Sequence, residues 1–366
     1  MFDVTRIPTE VWQDILRSAC TDGGFTGRSL ATTSKFFLAQ SYSIRYHSLL
    51  FDSLQRLLDF LGYWDAKMIN FPRGIHHLYL SFLDEPWLQP PIVRSAYYRM
   101  HYRDRQAYNY RASPPAKQRW SKTFVLGLRT LLTMVASSLR TLCIVLPDLQ
   151  DVWLRIIFSG LGLYRLEELT WLGCIAQDES PSQFLRDDLP SLKRFHCICK
   201  EGGEFRLSTA NAVVPYLHDL QALTHLRISH MRRIGSLSIA SDLAIALGIS
   251  STVKQSEEGP TRAEGSVPLC LRHVVLQWAR RLHSPRVRPS KGVRGQRLLA
   301  EIDGMCMLIV HQPWTRDVST DPPWGARWAH QLRIDWSDRM EGGIGCWFET
   351  KEQDYAWMRR MDDFEL

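Results

Sequence analysis

The sequence predicts an α/β protein in two parts: a short all-α domain at the N-terminus, then a larger region of repeated strands and helices. Three observations carry this. The chain opens on an amphipathic helix that stops at a glycine pair, a six-residue apolar pattern recurs along most of its length, and a long aromatic helix follows the last recurrence. With 366 residues and 45% apolar side chains, there is material for a large core and more than one domain. No apolar run approaches the roughly eighteen residues needed to span a membrane.

The opening helix is IPTEVWQDILRSAC, residues 7–20. Pro8 suits the first helical position, where its missing donor costs nothing, and Glu10 complements the helix dipole. Val11, Ile15 and Ala19 share one face, with Trp12 and Leu16 beside it, and Gly23 and Gly24 end the element. Residues 26–50 are suited to two more short helices. Three short helices in about fifty residues make a poor core by themselves, so part of their apolar surface is expected to be an interface. A linking helix is expected at SLQRLLDFL, residues 53–61, within a connecting segment 53–74.

From residue 75 to 366 the pattern apolar-x-x-apolar-x-apolar recurs. It reads IHHLYL from 75, LRTLCI from 139, LEELTW from 166, LKRFHC from 192, LTHLRI from 223, LRHVVL from 271 and, weakly, IDGMCM from 302. The pattern resembles a leucine-rich repeat, with polar insertions near 90–120 and 250–268 lengthening two of the intervals. Helix-compatible stretches at 124–135, 152–161 and 242–249 alternate with the strands. Strand and helix at this period predict an irregular α/β solenoid; an open α/β sheet is the alternative. WGARWAHQLRIDWSDRM, residues 324–340, places Trp328, Leu332, Trp336 and Met340 on one helical face and is expected to cap the solenoid.

Ile7, Pro8, Glu10, Val11, Ile15 and Leu16, followed by Leu30, Ser34, Lys35 and Phe37, together resemble an F-box. Trp12, the inserted ACTDGG, the later RYHSL and the C-terminal EGGIGCW (341–347) are similar to a group of fungal F-box proteins. The resemblance covers residues 1–52 plus that C-terminal tag. It implies a subunit that docks on a Skp-family adaptor, and through it on a cullin-RING (SCF-type) ubiquitin ligase, while the rest of the chain holds a protein substrate. The adaptor-binding residues it implies are Ile7, Pro8, Val11, Trp12, Ile15, Leu16, Leu30 and Phe37. Catalysis would then belong to other subunits, so the chain is expected to be no enzyme and to need no cofactor or metal.

The residues agree with that expectation. No phosphate-binding glycine loop, dinucleotide fingerprint or H-E-x-x-H occurs. His196, Cys197 and Cys199 form H-C-x-C, but a strand turns neighbours to opposite faces and no second ligand pair follows. Cys346 has no base assigned to it by any pattern. The eight scattered cysteines and the polar N-terminus point to reduced thiols and a cytoplasmic or nuclear location.

If the motif apolar residues face the core, the positions between them line an open sheet face. Arg194, His196, His225, Arg227 and His273 then form a basic, imidazole-rich surface for an acidic or phosphorylated substrate segment. Two rival readings are a repeat-domain scaffold without ligase attachment and an RNA-associated protein. The second rests on the Arg/Tyr segment 95–111 and the basic run 280–297, whose net contribution to the chain's +7 charge would attract phosphate. Neither segment carries a nucleic-acid fold signature.

Overall fold

A computed structural model describes residues 7–42, 44–67, 74–82, 114–145, 157–173, 188–199, 220–231, 270–278, 297–302, 305–311 and 324–347. The Arg/Tyr segment 95–111, the basic run 280–296, the helix-compatible stretch 242–249 and the insertion 250–268 lie outside the described residues. The elements are α1 (Thr9–Ala19), α2 (Phe25–Thr33), α3 (Lys35–Gln40), β1 (Ser48–Phe51), α4 (Leu54–Lys67), β2 (His77–Ser81) and α5 (Pro114–Val135). They continue with β3 (Thr141–Val145), β4 (Glu168–Gly173), β5 (Arg194–Cys199), β6 (His225–Met231), β7 (His273–Trp278), β8 (Arg297–Ile302), β9 (Met305–His311) and α6 (Trp324–Met340). The protein is mixed α/β with a parallel sheet. None of the described helices is long and apolar enough to cross a membrane.

The chain divides into two compact units, Met1–Leu139 with Ile144–Leu161, and Arg140–Cys143 with Gly162–Leu366. In the first, α1 to α3 enclose a small core of Leu16, Cys20 and Ile44, with Leu30 and Phe37 packed against it. Trp12, Phe36 and Phe37 meet edge to face at 5.4–5.7 Å between ring centres, a geometry that their quadrupoles favour. Pro8 stands one place earlier than expected, as the N-cap of α1. Ser34 caps α3 by accepting from the Phe37 N–H at 3.2 Å.

Residues 48–51 are not helical. They form β1, which runs parallel to β2 with Ser48 opposite His77, so the N-terminal segment 1–52 is not purely α. SLLF has no polar face for a helix to turn outward, and the buried Ser48 hydroxyl anchors the strand. It accepts from Gly23 N–H at 3.0 Å and donates to the Cys20 carbonyl at 2.9 Å. Residues 114–120, expected as part of an insertion, are the first turns of α5; Pro114 and Pro115 fit there because first-turn N–H groups have no intrahelical acceptor.

In the second unit β4, β5, β6, β7 and β9 pair in parallel in that order, and β8 closes the edge antiparallel to β9. The recurring pattern explains the register. Leu166, Leu192, Leu223 and Leu271 are all buried just before β4, β5, β6 and β7. Three of them end the same i→i+3 turn, closed by Leu166 on Leu163, Leu192 on Leu189 and Leu223 on Leu220 at 3.0–3.2 Å. The carbonyl just before each strand then accepts two N–H groups from the next strand's entry: Glu167 from Lys193 and Arg194, and Lys193 from Thr224 and His225. IDGMCM is not one strand. Ile302 ends β8 and Met305 begins β9, and Asp303-Gly304 between them is a strongly favoured hairpin pair in sequence.

α6 spans the expected residues and buries Trp328, Leu332 and Trp336. It does not cap an end of the repeat. It lies on the sheet face, where Leu332, Asp335, Trp336 and Arg339 line one small cavity with Cys143, Glu168 and Thr170. A parallel sheet normally has its faces covered, and α6 covers part of this one.

Candidate functional site

Two sets of side chains stand out, one in each unit. On the N-terminal helices, α1 splits its apolar residues between two directions. Leu16 is 2% accessible and belongs to the local core, whereas Val11 and Ile15 remain 46% and 47% accessible. Leu16 is therefore structural, and Trp12, Leu30 and Phe37 are half-buried against or beside that core. Ile7 is half-buried and Pro8 exposed. Phe25 of α2, Leu38 of α3 and Tyr42 are exposed as well. Their exposure was missed from the sequence because short helices give too few turns to fix which apolar side faces inward.

In the second unit, the expected substrate-binding residues share one sheet face, as their alternation requires. Arg194 stands opposite His225, and His196 opposite Arg227; His225 stands opposite His273. That face is not open. His196 is fully buried and Arg227 is 1% accessible, because α6 and the segment Glu341–Trp347 lie over them. The same face also carries apolar groups, and Cys143 and Val275 on it are buried.

The covering segment is held by burial of Cys346 and Trp347 and by a set of polar contacts. Glu168 accepts from Arg194 at 2.6 Å, from Arg339 Nε at 3.1 Å and from the Trp347 indole N–H at 3.2 Å, with a further Arg339 Nη2 contact to its other oxygen. Arg339 also donates to the Gly343 carbonyl at 2.7 Å, and Arg227 donates to the Cys346 carbonyl at 3.1 Å. The Gly345 N–H donates to Asp338 at 2.7 Å. The EGGIGCW glycines serve this path: Gly342 and Gly345 have φ of 91° and 58°, in the left-handed region. Burial pulls the Arg339 pKa down, but its hydrogen bond to Glu168 and that carboxylate's charge outweigh burial and raise it.

Cys346 Sγ lies 3.3 Å from His196 Nδ1, and His196 Nε2 is 2.9 Å from the Ser229 hydroxyl. A cysteine beside an imidazole is the beginning of a nucleophile pair. Here burial, reinforced by Asp335, pushes the thiol far up, while burial and Arg227 hold the imidazole well below its usual value. Both groups are neutral, so the pair is a buried hydrogen bond with no thiolate. The adjacent cavity holds about 30 Å³, room for a water and no substrate. His196 and Cys197 fall on opposite faces of β5, and among the described residues no three His, Cys, Asp or Glu converge on a metal position.

Compared with known proteins, the chain matches no family model, no curated protein and no solved structure.

Proposed function

We propose that this chain is the substrate-recognition subunit of an SCF-type cullin-RING ubiquitin ligase. It docks a Skp-family adaptor through α1 to α3 and holds a protein substrate through an irregular leucine-rich-repeat-like domain. The observation that carries the reading is the pair Val11 and Ile15: two β-branched apolar side chains at i and i+4, about half exposed, on a helix whose own core contact is Leu16. Fully burying such a side chain contributes about 1.5–3 kcal/mol, so roughly half of that remains available from each for a partner. The leucine-rich-repeat part is supported by the turn and the double-acceptor carbonyl that recur at successive strand entries.

Within the expected substrate face, His196 and Arg227 are buried under the segment Glu341–Trp347, while Arg194, His225 and His273 stay part-exposed. The test is capture of the full-length protein by a purified Skp-family adaptor. Val11→Asp with Ile15→Asp should abolish capture while the thermal midpoint and circular dichroism stay unchanged, because burying an unpaired charge costs several kcal/mol. Undiminished capture of the folded double variant refutes the adaptor reading. Failure of the unmodified protein to be captured leaves the scaffold reading in its place.

A further inference from the structure

We propose that the segment Glu341–Trp347 is an acid-releasable strap over the imidazole-bearing face of β5, β6 and β7. The groups under the strap carry charge of both signs. The sheet contributes Glu168, Arg194 and Arg227 with the imidazoles of His196, His225 and His273, and α6 adds Arg339, Asp335 and Asp338. Arg272 lies beside His225, and the thiols of Cys143 and Cys346 complete the lining. Arg194 and Arg339 thus already pair with Glu168, and any protonated imidazole adds a cation next to them.

Hydrogen bonding opposes protonation in the same sense. His196 uses both ring nitrogens, toward Ser229 Oγ and Cys346 Sγ, while Arg227 Nε already donates to that Ser229 oxygen at 3.2 Å. An imidazolium would turn both nitrogens into donors and leave the weakly accepting sulfur as the second partner. His225 is stacked on His273 at 4.6 Å, and Trp347 stands over both His196 and His225.

The sign follows from linkage. Burial, helped by His273 and Arg194, lowers His225 from 6.5 to about 4. The closed form therefore binds this proton more weakly than a released one, and closure loses ground as the pH falls from about 6.5 towards 4. Between pH 7.5 and 5.0, His225 alone shifts the open-to-closed ratio by (1 + 10^1.5)/(1 + 10^−1), about 30-fold if release restores its ordinary value.

The experiment is hydrogen–deuterium exchange on the full chain at pH 7.5, 6.0 and 5.0, with each rate corrected for the intrinsic pH dependence of amide exchange. Peptides spanning 341–347 should lose about 30-fold in protection by pH 5.0, while those from 128–135 in α5 keep theirs. His225→Gln should remove most of that response. Corrected protection that does not change with pH overturns the proposal, and so does an equal loss in both regions, which is global unfolding. A folded His225→Gln protein with the full unmodified response also overturns it; if that variant fails to fold, the unmodified profile and His196→Asn decide on the same criteria.

Discussion

Replacing Glu168 by alanine removes the one carboxylate on which two guanidiniums and an indole converge. Glu168 is buried, and the Arg194 and Arg339 side chains are only 28% and 26% accessible. Breaking a buried pair from one side costs about 3–5 kcal/mol, and stranding a buried donor such as the Trp347 N–H about 1–3 kcal/mol. Water reaches the exposed quarter of each guanidinium and recovers part of this, so Glu168→Ala should destabilise the second unit by about 3–4 kcal/mol. Glu168→Gln keeps an acceptor for Trp347 but loses the charge, and should cost about half as much. The assay is urea unfolding followed by tryptophan fluorescence, with an Arg339→Ala double-mutant cycle to isolate the pair. Because the groups are poorly screened, the loss should persist at 0.5 M salt, roughly. A cost under about 1 kcal/mol for the alanine variant, or a coupling near zero with Arg339, would refute the view that this cluster holds the C-terminal segment on the sheet.

Ser48→Ala leaves the Gly23 N–H and Cys20 carbonyl without their shared hydroxyl. It should cost about 1–3 kcal/mol, read as a lowered urea midpoint of the first unit. Gly345→Ala demands φ near 58° from a residue with a Cβ and brings that Cβ within 2.8 Å of the Asp335 carbonyl. A penalty of about 1–3 kcal/mol is expected, with faster amide exchange in 341–347. Cys346 should resist iodoacetamide at pH 8 in the native protein, because burial raises its thiol far above that pH, whereas the part-exposed Cys270 should label first of the two; peptide mass spectrometry reads both sites.

Much of the local structure was legible in the residues themselves. Trp328, Leu332 and Trp336 at intervals of four define α6, which begins one interval before them at Trp324 and ends one after at Met340. The apolar-x-x-apolar-x-apolar pattern places β3 to β7 and even sets the register, because stacking equivalent leucines leaves only one alignment with all of them buried. The α/β class follows from those periods alone. A signal that was present and went unread is the extra leucine three residues before the motif, Leu163, Leu189 and Leu220, which forms the entry turn. Asp303-Gly304 likewise marked a hairpin inside what read as one strand.

What lies over the sheet was decided by tertiary structure. Gln331, Asp335 and Arg339 form a second stripe on α6, and by composition that stripe belongs in water. It is drawn inward because Glu168, 171 residues before Arg339, supplies a counterion, which also accepts from the Trp347 indole, while the Cys346 carbonyl accepts from Arg227. Periodicity reports whether a side chain can share a face with its neighbours in sequence. It is silent on which distant charge will make burial of an arginine affordable, since that energy exists only once both partners are desolvated together. Hence Arg194, His196, His225 and Arg227 could be placed on one face from the sequence, while the burial of His196 and Arg227 could not.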